Sequence, residues 1–464
     1  YARNPQPLLP VSQFNPVGGV QFAGPNRRNV YSTDNHLLGP RFGFAWSPTK
    51  LKNTVIRGGT GIYYFTYGTT GIQQPGFSQS TPYVATLDAF LTPANTLSNP
   101  FPTGLIPPVG NANGVNTFLG QGITFTNPTV GQPYSWRWNF NVQRQFGGNL
   151  VVEAGYTGNQ AVHLSENRDL NFIPRELLST SPVRDQPNID RLTAAVPNPF
   201  AGLIPGTGLN GGTIGLEQLL RPHPQFSGQG GVRIDGLNTG SSFFHMFQVR
   251  VEKRFSSGLQ FLANYGWQKL IEKRSRLNVA DPFLEKRIAD EDRPQRLVFS
   301  SSYELPFGKG KPIAGGVGPW TNRLIGGFIL NAIYTTQSGD PVEWGNVIYL
   351  GGPLNWQAGN VNQAFDTTRF NRDPRAALDR NLRTFNTRFT TYRNDIVNNI
   401  DLSLLKNIPI TERVGLQFRF EAFNAFNRAQ FNPPNLDPVN ANFGRITSQS
   451  NLPRQIQMAL RLKW

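Results

Sequence analysis

Apolar and polar residues alternate with a period of two at the end of this chain and in many stretches before it. Ile456, Met458, Leu460, Leu462 and Trp464 fall on one parity and Gln455, Gln457, Ala459, Arg461 and Lys463 on the other. That spacing predicts a strand with one apolar face and one polar, basic face. The same period returns in pairs. Arg41–Trp46 and Thr54–Tyr64 read as a hairpin across Ser47-Pro48. Tyr134, Trp136, Trp138, Phe140 and Val142 alternate with Ser135, Arg137, Asn139, Asn141 and Gln143. After the turn residues Gly147-Gly148-Asn149, the apolar face runs back through Leu150, Val152, Ala154 and Tyr156. A third pair sets Phe247, Val249 and Val251 before Ser256-Ser257-Gly258 and Leu259, Phe261, Ala263, Tyr265 and Trp267 after it. Further strands are predicted at 297–303, 324–337, 400–404 and 414–422, which with the terminal strand makes eleven.

The connections between these strands are alternately short and long. Three long ones, at 66–133, 159–243 and 338–397, are rich in Gly, Pro, Asn and Thr, and charge fills the connection from Lys269 to Arg293. Residues 1–39 read as loop with a strand remnant near Val20-Gln-Phe22. A soluble β-sandwich or propeller would turn the apolar parity into a core. A transmembrane barrel turns it toward lipid, with short turns on one side of the membrane and long loops on the other. The strict alternation of short and long links favours the barrel.

Composition adjusts this picture in three ways. Hydrophobic residues are only 38% of the 464 residues, lean for several packed cores, while aromatics reach 12% with 34 Phe, 13 Tyr and 8 Trp. No apolar run approaches the roughly 18 residues of a membrane helix, and the mean hydropathy of -0.36 does not register a barrel, whose every second residue is polar. Cysteine is absent, which excludes disulfides and thiolate metal sites within this chain. The formal charge of +16 would suit nucleic acid, but the basic residues are dispersed along strands between lipid-type aromatics, so no nucleic-acid partner is expected. The opening Tyr1-Ala-Arg-Asn, with neither an initiator Met nor a signal segment, reads as the start of a fragment or processed piece.

The phrases Val55-Ile-Arg-Gly-Gly-Thr-Gly-Ile-Tyr-Tyr64, Trp138-Asn-Phe-Asn-Val-Gln-Arg-Gln145, Glu153-Ala-Gly-Tyr-Thr-Gly158, Val251-Glu-Lys-Arg-Phe255, Tyr303-Glu-Leu-Pro-Phe-Gly-Lys-Gly-Lys311, Gln337-Ser-Gly-Asp-Pro341 and Phe420-Glu-Ala-Phe-Asn-Ala-Phe-Asn427 together resemble the barrel of Oar-like TonB-dependent transporters, abundant in Acidobacteria and their relatives. The resemblance covers nearly the whole chain from about residue 40 and implies an all-β, antiparallel outer-membrane barrel of about 22 strands. Eleven strands would be its C-terminal half, spanning 40–464, with 1–39 a remnant of the preceding strands. The family's plug, its carboxypeptidase-regulatory-like domain and its TonB-contacting segment have no candidate in this chain. The implied partners are the TonB complex acting through that missing N-terminal plug, outer-membrane lipid and lipopolysaccharide, the barrel assembly machinery and an unidentified solute. The terminal Met458, Leu460, Leu462 and Trp464 resemble the C-terminal signal by which such barrels are recognised for insertion.

Charges on the polar parity form a separate set: Arg57, Arg137, Glu153, Arg250, Glu252, Arg419, Glu421 and Arg461. In lipid, an Arg or Lys at mid-depth would cost roughly 2 to 4 kcal/mol and Glu less, so this parity is expected to face a wet lumen. Each such residue serves more simply as a cross-strand or plug partner than as part of a solute path. Tyr134, Phe255, Trp267 and Trp464 suit interfacial girdles.

Other motifs carry less. Gly308-Lys-Gly-Lys311 lacks the Gly five residues before the Lys and the Ser or Thr after it that a phosphate loop needs, and reads as a basic turn. Gly58-Gly59-Thr60-Gly61 lies inside a strand pattern and marks a bend or close packing against another backbone. His36, His163, His223 and His245 stand too far apart for a metal site, and Asp290-Glu-Asp-Arg293 is expected to pair with Arg287 or Arg296 before it binds a cation. No cofactor and no catalytic constellation is expected, so the chain is not read as an enzyme. Passive pore, secretion channel and surface adhesin remain the alternatives to energised uptake.

Overall fold

The computed structural model describes residues 2–5, 17–26, 28–29, 32, 36–65, 74, 76–129, 131–228 and 230–464. Eleven strands form one meander: β1 Arg41–Trp46, β2 Thr54–Tyr64, β3 Tyr134–Phe146, β4 Leu150–Asp169, β5 Val232–Ser256, β6 Leu259–Lys273, β7 Gln295–Glu304, β8 Phe328–Gln337, β9 Val397–Pro409, β10 Gly415–Phe423 and β11 Gln455–Lys463. Each pairs antiparallel with the strands before and after it in sequence, from β1 at one edge to β11 at the other. Two short additions complete a 13-stranded sheet: Arg287–Ile288 pairs antiparallel with β6, and Ile123–Thr126 pairs parallel with β5.

The register preserves the parity of the sequence. Trp138 lies opposite Gly158, Phe140 opposite Tyr156 and Val142 opposite Ala154; Tyr156 lies opposite Phe247, and Phe247 opposite Trp267. One continuous face of the sheet is therefore apolar and aromatic. Much of it is exposed, with Phe42 at 68% and Trp267 at 61% of full accessibility. The buried apolar residues lie instead mainly in the long connections. Val342, Trp344, Leu354, Phe365, Phe370 and Phe443 form one cluster, and Leu119, Ile123, Phe200, Phe226 and Val232 a second. Trp344 is only 1% exposed, its ring stacked on Phe370 at 5.1 Å and edge-on to Phe365 at 5.2 Å.

Turn chemistry sets the short links. Gly148 and Asn149 take positive φ between β3 and β4, and Ser257 and Gly258 do so between β5 and β6. The link between β7 and β8 holds a helix, α1, at Pro319–Ile325, so the strand expected from Leu324 starts at Phe328. Pro319 in the first helical turn and Gly327 at φ +72° account for the change. Other differences lengthen strands. β4 runs on to Asp169 and β5 starts at Val232, both inside the stretch read as loop. Register shifts between Ile234 and Ser241 break the alternation there, and Val232 and Ile234 are buried among the connections, so the ladder continues without a lipid-facing period. The remnant expected near Val20 lies instead at Val17–Gly19, paired with Ala2–Pro5. Within the connections, helices α2 Gln186–Thr193 and α3 Leu216–Leu219 were not foreseen.

Close packing at Gly58 is present, but chiefly against a ring rather than against another backbone. A Cβ there would lie 2.5 Å from the Phe44 ring, and in the same way the Trp138 indole lies over Gly158 where a Cβ would stand. Aromatic rings covering cross-strand glycines protect the ladder and fix the register. In the native protein, Gly158→Val is expected to evict Trp138 and cost roughly 1–3 kcal/mol, lowering the urea midpoint at which heat-modifiable gel mobility is lost. Gly208→Val, with nothing near its would-be Cβ, should leave that midpoint in place; equal losses at both positions would contradict the packing account.

Candidate binding surface

The charged residues singled out from the sequence all sit on the face opposite the aromatic one, in two groups. In the first, Arg57 Nη1 donates to Gln143 Oε1 at 2.7 Å, Gln143 lies opposite Glu153, and Glu153 lies opposite Arg250. Arg250 Nη2 pairs along its own strand with Glu252 Oε2 at 2.7 Å, and Arg254 approaches the same carboxylate at 3.7 Å. Arg137 Nε donates to Ser135 Oγ at 3.0 Å and its guanidinium stands 5.2 Å over the Tyr63 ring. In the second group Arg419 lies 3.6 Å from Glu421, Gln457 Nε2 donates to Glu421, and Arg461 lies opposite Gln417. Strands β6 to β9 separate the two groups. Most of these charges have polar partners on the same face, and such exposed pairs contribute at most about 1 kcal/mol each.

At the end of the sheet that carries the long connections, the polar face continues into structure that the sequence did not signal. Asp401 accepts from the Asn424 backbone at 2.8 Å and from Asn399 Nδ2 at 3.0 Å. With Asn398, Phe423 and Arg428 they line a cavity of about 400 Å³. Amides, a carboxylate, a guanidinium and one aromatic ring can hold a solute carrying several hydrogen-bonding groups.

Above the rim, ion pairs tie the connections to one another. Glu272, at the top of β6, accepts from Arg287 at 3.0 Å and Arg388 at 3.1 Å, and Arg388 reaches Glu343 at 2.6 Å. Arg276 pairs with buried Glu166 at 2.6 Å. Burial works against the charge of Arg388, but Glu343, Asp290 and Glu272 outweigh it and hold the guanidinium above its usual value. The acidic run at 290–293 finds partners other than the expected Arg287 and Arg296. Asp292, fully buried, pairs with Arg393 at 2.5 Å and accepts from the Leu270 backbone at 2.7 Å, while Arg293 pairs with Asp340 at 2.5 Å. Of the two ion-pair partners, Arg393 is about a hundred residues away in the chain and Asp340 lies in another connection, beyond the reach of local spacing. The charge density of 269–293 was the visible half of the signal; the arginines at 383, 388 and 393 were the other.

The four histidines are not brought together as a metal site. His163 is edge-on to Tyr134 at 5.6 Å, and His245 Nδ1 lies 2.7 Å from the Tyr156 hydroxyl on the aromatic face. Among the described residues no group of three or more His, Asp or Glu is placed to hold a metal ion. Met458, Leu460, Leu462 and Trp464 are exposed at the β11 edge, which pairs only with β10 among the described residues.

The loop carboxylates give the cap a defined acid limit. Asp366 accepts from the Thr368 hydroxyl at 2.6 Å and from Arg369 at 3.0 Å, and these bonds, the Thr368 hydroxyl first, hold its carboxyl below the usual range. A lowered folded value means that its contribution is complete above the unfolded value of about 4 and is lost as pH falls through the folded value. Acrylamide quenching of the buried Trp344 is therefore expected to stay flat from about pH 8 to pH 5 and to rise only below about pH 4. Glu272→Gln, which strips Arg287 and Arg388 of their shared carboxylate, should raise the quenching at neutral pH, at a local cost of roughly 3–5 kcal/mol. A cap as closed in the variant as in the parent would show the clasp to be dispensable.

Residues 9–457 match the model of the family described as outer membrane beta barrel domain. No curated protein matches the sequence. Solved structures to which the chain is similar include the outer membrane transporter YddB from Escherichia coli, at 10% identity and a TM-score of 0.39 over 92% of this chain and 41% of that one. The ferripyoverdine receptor of Pseudomonas aeruginosa, solved with ferripyoverdine bound, is 9% identical with a TM-score of 0.40, over 92% of this chain and 32% of that chain. The siderophore receptor PirA from Acinetobacter baumannii is 8% identical with a TM-score of 0.41, over 92% and 40% respectively. The chain thus spans about a third to two-fifths of the length of these proteins. With an exposed aromatic face, a polar face behind it and a family match over almost its whole length, this chain belongs to the outer membrane beta barrel domain family, and its place is the outer membrane.

Proposed function

We propose that the chain is the C-terminal half of the barrel of a TonB-dependent receptor of the Oar-like kind, forming part of the wall and the outward loops through which a polar solute is captured and admitted. The observation that carries this reading is the arrangement of the apolar residues. The sheet exposes its apolar face, and the main buried clusters close the long connections instead. A passive pore needs no structured cap, whereas a receptor needs loops held in a defined shape above its wall. The clasp of Glu272, Arg287, Arg388 and Glu343 provides that hold, and the cavity beside Asp401 and Arg428 is the solute contact we assign. In this reading 40–464 lines one side of the lumen, and the residues from Arg57 to Arg461 on the polar face meet water or a plug domain supplied from outside this chain. The TonB complex would act on that plug, and lipid, lipopolysaccharide and the barrel assembly machinery would meet the outer wall and the β11 edge.

The test is energy dependence. Native protein in cells is expected to support uptake that falls to background when TonB is removed, while the same protein in planar bilayers shows no sustained ion conductance. Steady conductance together with uptake indifferent to TonB would replace the receptor with a passive pore. Surface attachment without any uptake would make the same loops those of an adhesin.

A further inference from the structure

A second cavity, of about 300 Å³, opens on the aromatic face of the sheet, lined by Ser241, Phe243, His245, Lys269, Lys273 and Lys286 among others. The register explains how the cations converge. Ser241 lies opposite Lys273, Phe243 opposite Ile271 and His245 opposite Lys269, all on one parity. Glu272 lies opposite Arg287, which brings Lys286, one residue earlier, beside Lys273. Glu272 borders the cavity too, but its carboxylate is held by Arg287 and Arg388 on the other face. Among the described residues, none of the three lysines has a carboxylate within ion-pair distance.

The height of this group on the wall is informative. A tilted strand crosses the apolar layer in about ten residues; counted from the turn at Ser257-Gly258, that reaches Met246 and His245. The aromatic level lies immediately below: exposed Trp267 precedes Lys269 by two residues, and Tyr156 and Trp138 flank His245 at 2.7 Å and 6.2 Å. Lys273 and Lys286 stand one step higher, at the level of headgroups. Four residues of strand separate Lys269 from Lys273, about 13 Å, a span suited to two phosphates rather than one.

We propose that this site binds the phosphates of an outer-leaflet glycolipid headgroup, a bis-phosphorylated sugar whose acyl chains descend over Phe243, Ile271 and the aromatic belt. The lysine ammonium groups and the Ser241 hydroxyl meet the phosphates, and the apolar floor selects a lipid over a soluble anion. The inference rests on the reading that the long connections face outward, but it does not depend on energised uptake.

Native mass spectrometry of the protein purified from outer membranes in mild detergent tests it, with bis-phosphorylated lipid A, its monophosphorylated form and inorganic phosphate as probes. The bis-phosphorylated lipid should bind at one equivalent, about tenfold more tightly than the monophosphorylated form. Binding should weaken about tenfold or more in the triple variant Lys269→Gln, Lys273→Gln, Lys286→Gln, and less in Lys273→Gln alone. Substituting Lys50, Lys52 and Lys309, which lie at the short turns, should change nothing. Heat-modifiable mobility confirms that each variant is folded. Unaltered lipid binding in the triple variant would overturn the proposal, and inorganic phosphate bound as tightly as the lipid would overturn its lipid source. Uptake indifferent to TonB with lipid binding intact would count against the receptor reading alone.

Discussion

Inside hydrocarbon, every backbone N–H and C=O must find a partner within the protein, because no water is present to supply one. The rest of this chain follows from that constraint. Its strands pair with their sequence neighbours in one antiparallel meander, so nearly every backbone group at membrane depth joins a ladder. Side chains then sort by parity: what points toward lipid must be apolar, and what points away is free to be charged. The aromatic face carries Trp136, Trp138, Phe140 and Trp267, and the other face carries Arg57, Arg137, Glu153 and Arg250. Where lipid ends the constraint lifts, and the strands either turn at once through Gly148-Asn149 and Ser257-Gly258 or run on among the connections as β4 and β5 do.

Stability therefore comes from two different sources. In the sheet it comes from the ladder, with glycines seated under Trp138 and Phe44. In the connections it comes from burial in the ordinary sense, around Trp344 in one cluster and Phe200 and Phe226 in another. Ion pairs through Glu272, Asp292 and Glu166 join the connections to the tops of β4 and β6. The loops are thereby a structured cap on a rigid wall, and binding chemistry can reside in them without disturbing the membrane span.

The sheet was legible in the sequence because its period is enforced by the solvent on each face. All eleven strands fall where the alternation placed them, and the turns follow from Gly148, Asn149 and Gly258. Legibility stopped where lipid stops. From Asn159 to Asp169 and from Val232 to about Ser242 the strands pack in part against the connections, as buried Ala161, Glu166 and Val232 show, so the ladder continues with no regular alternation to betray it. The helix Pro319–Ile325 lies in a stretch that reads equally well as the start of a strand until Gly327 takes its left-handed conformation. The cap was the least legible part. Glu272 with Arg388, and Asp292 with Arg393, join residues about a hundred positions apart, and the cavity beside Asp401 gathers residues from three separate segments.

The central claim is that one parity of these strands faces lipid and the other faces water. The chain contains no cysteine, so single substitutions Asn139→Cys, Phe140→Cys, Asn141→Cys and Val142→Cys in strand β3, paired on both sides, can each carry a spin label without background from this chain. In outer-membrane vesicles the account predicts that labels at 140 and 142 collide with dissolved oxygen and are shielded from an aqueous nickel chelate, and that labels at 139 and 141 do the reverse. A strand whose four positions share one environment, or whose alternation runs in the opposite phase, would contradict it.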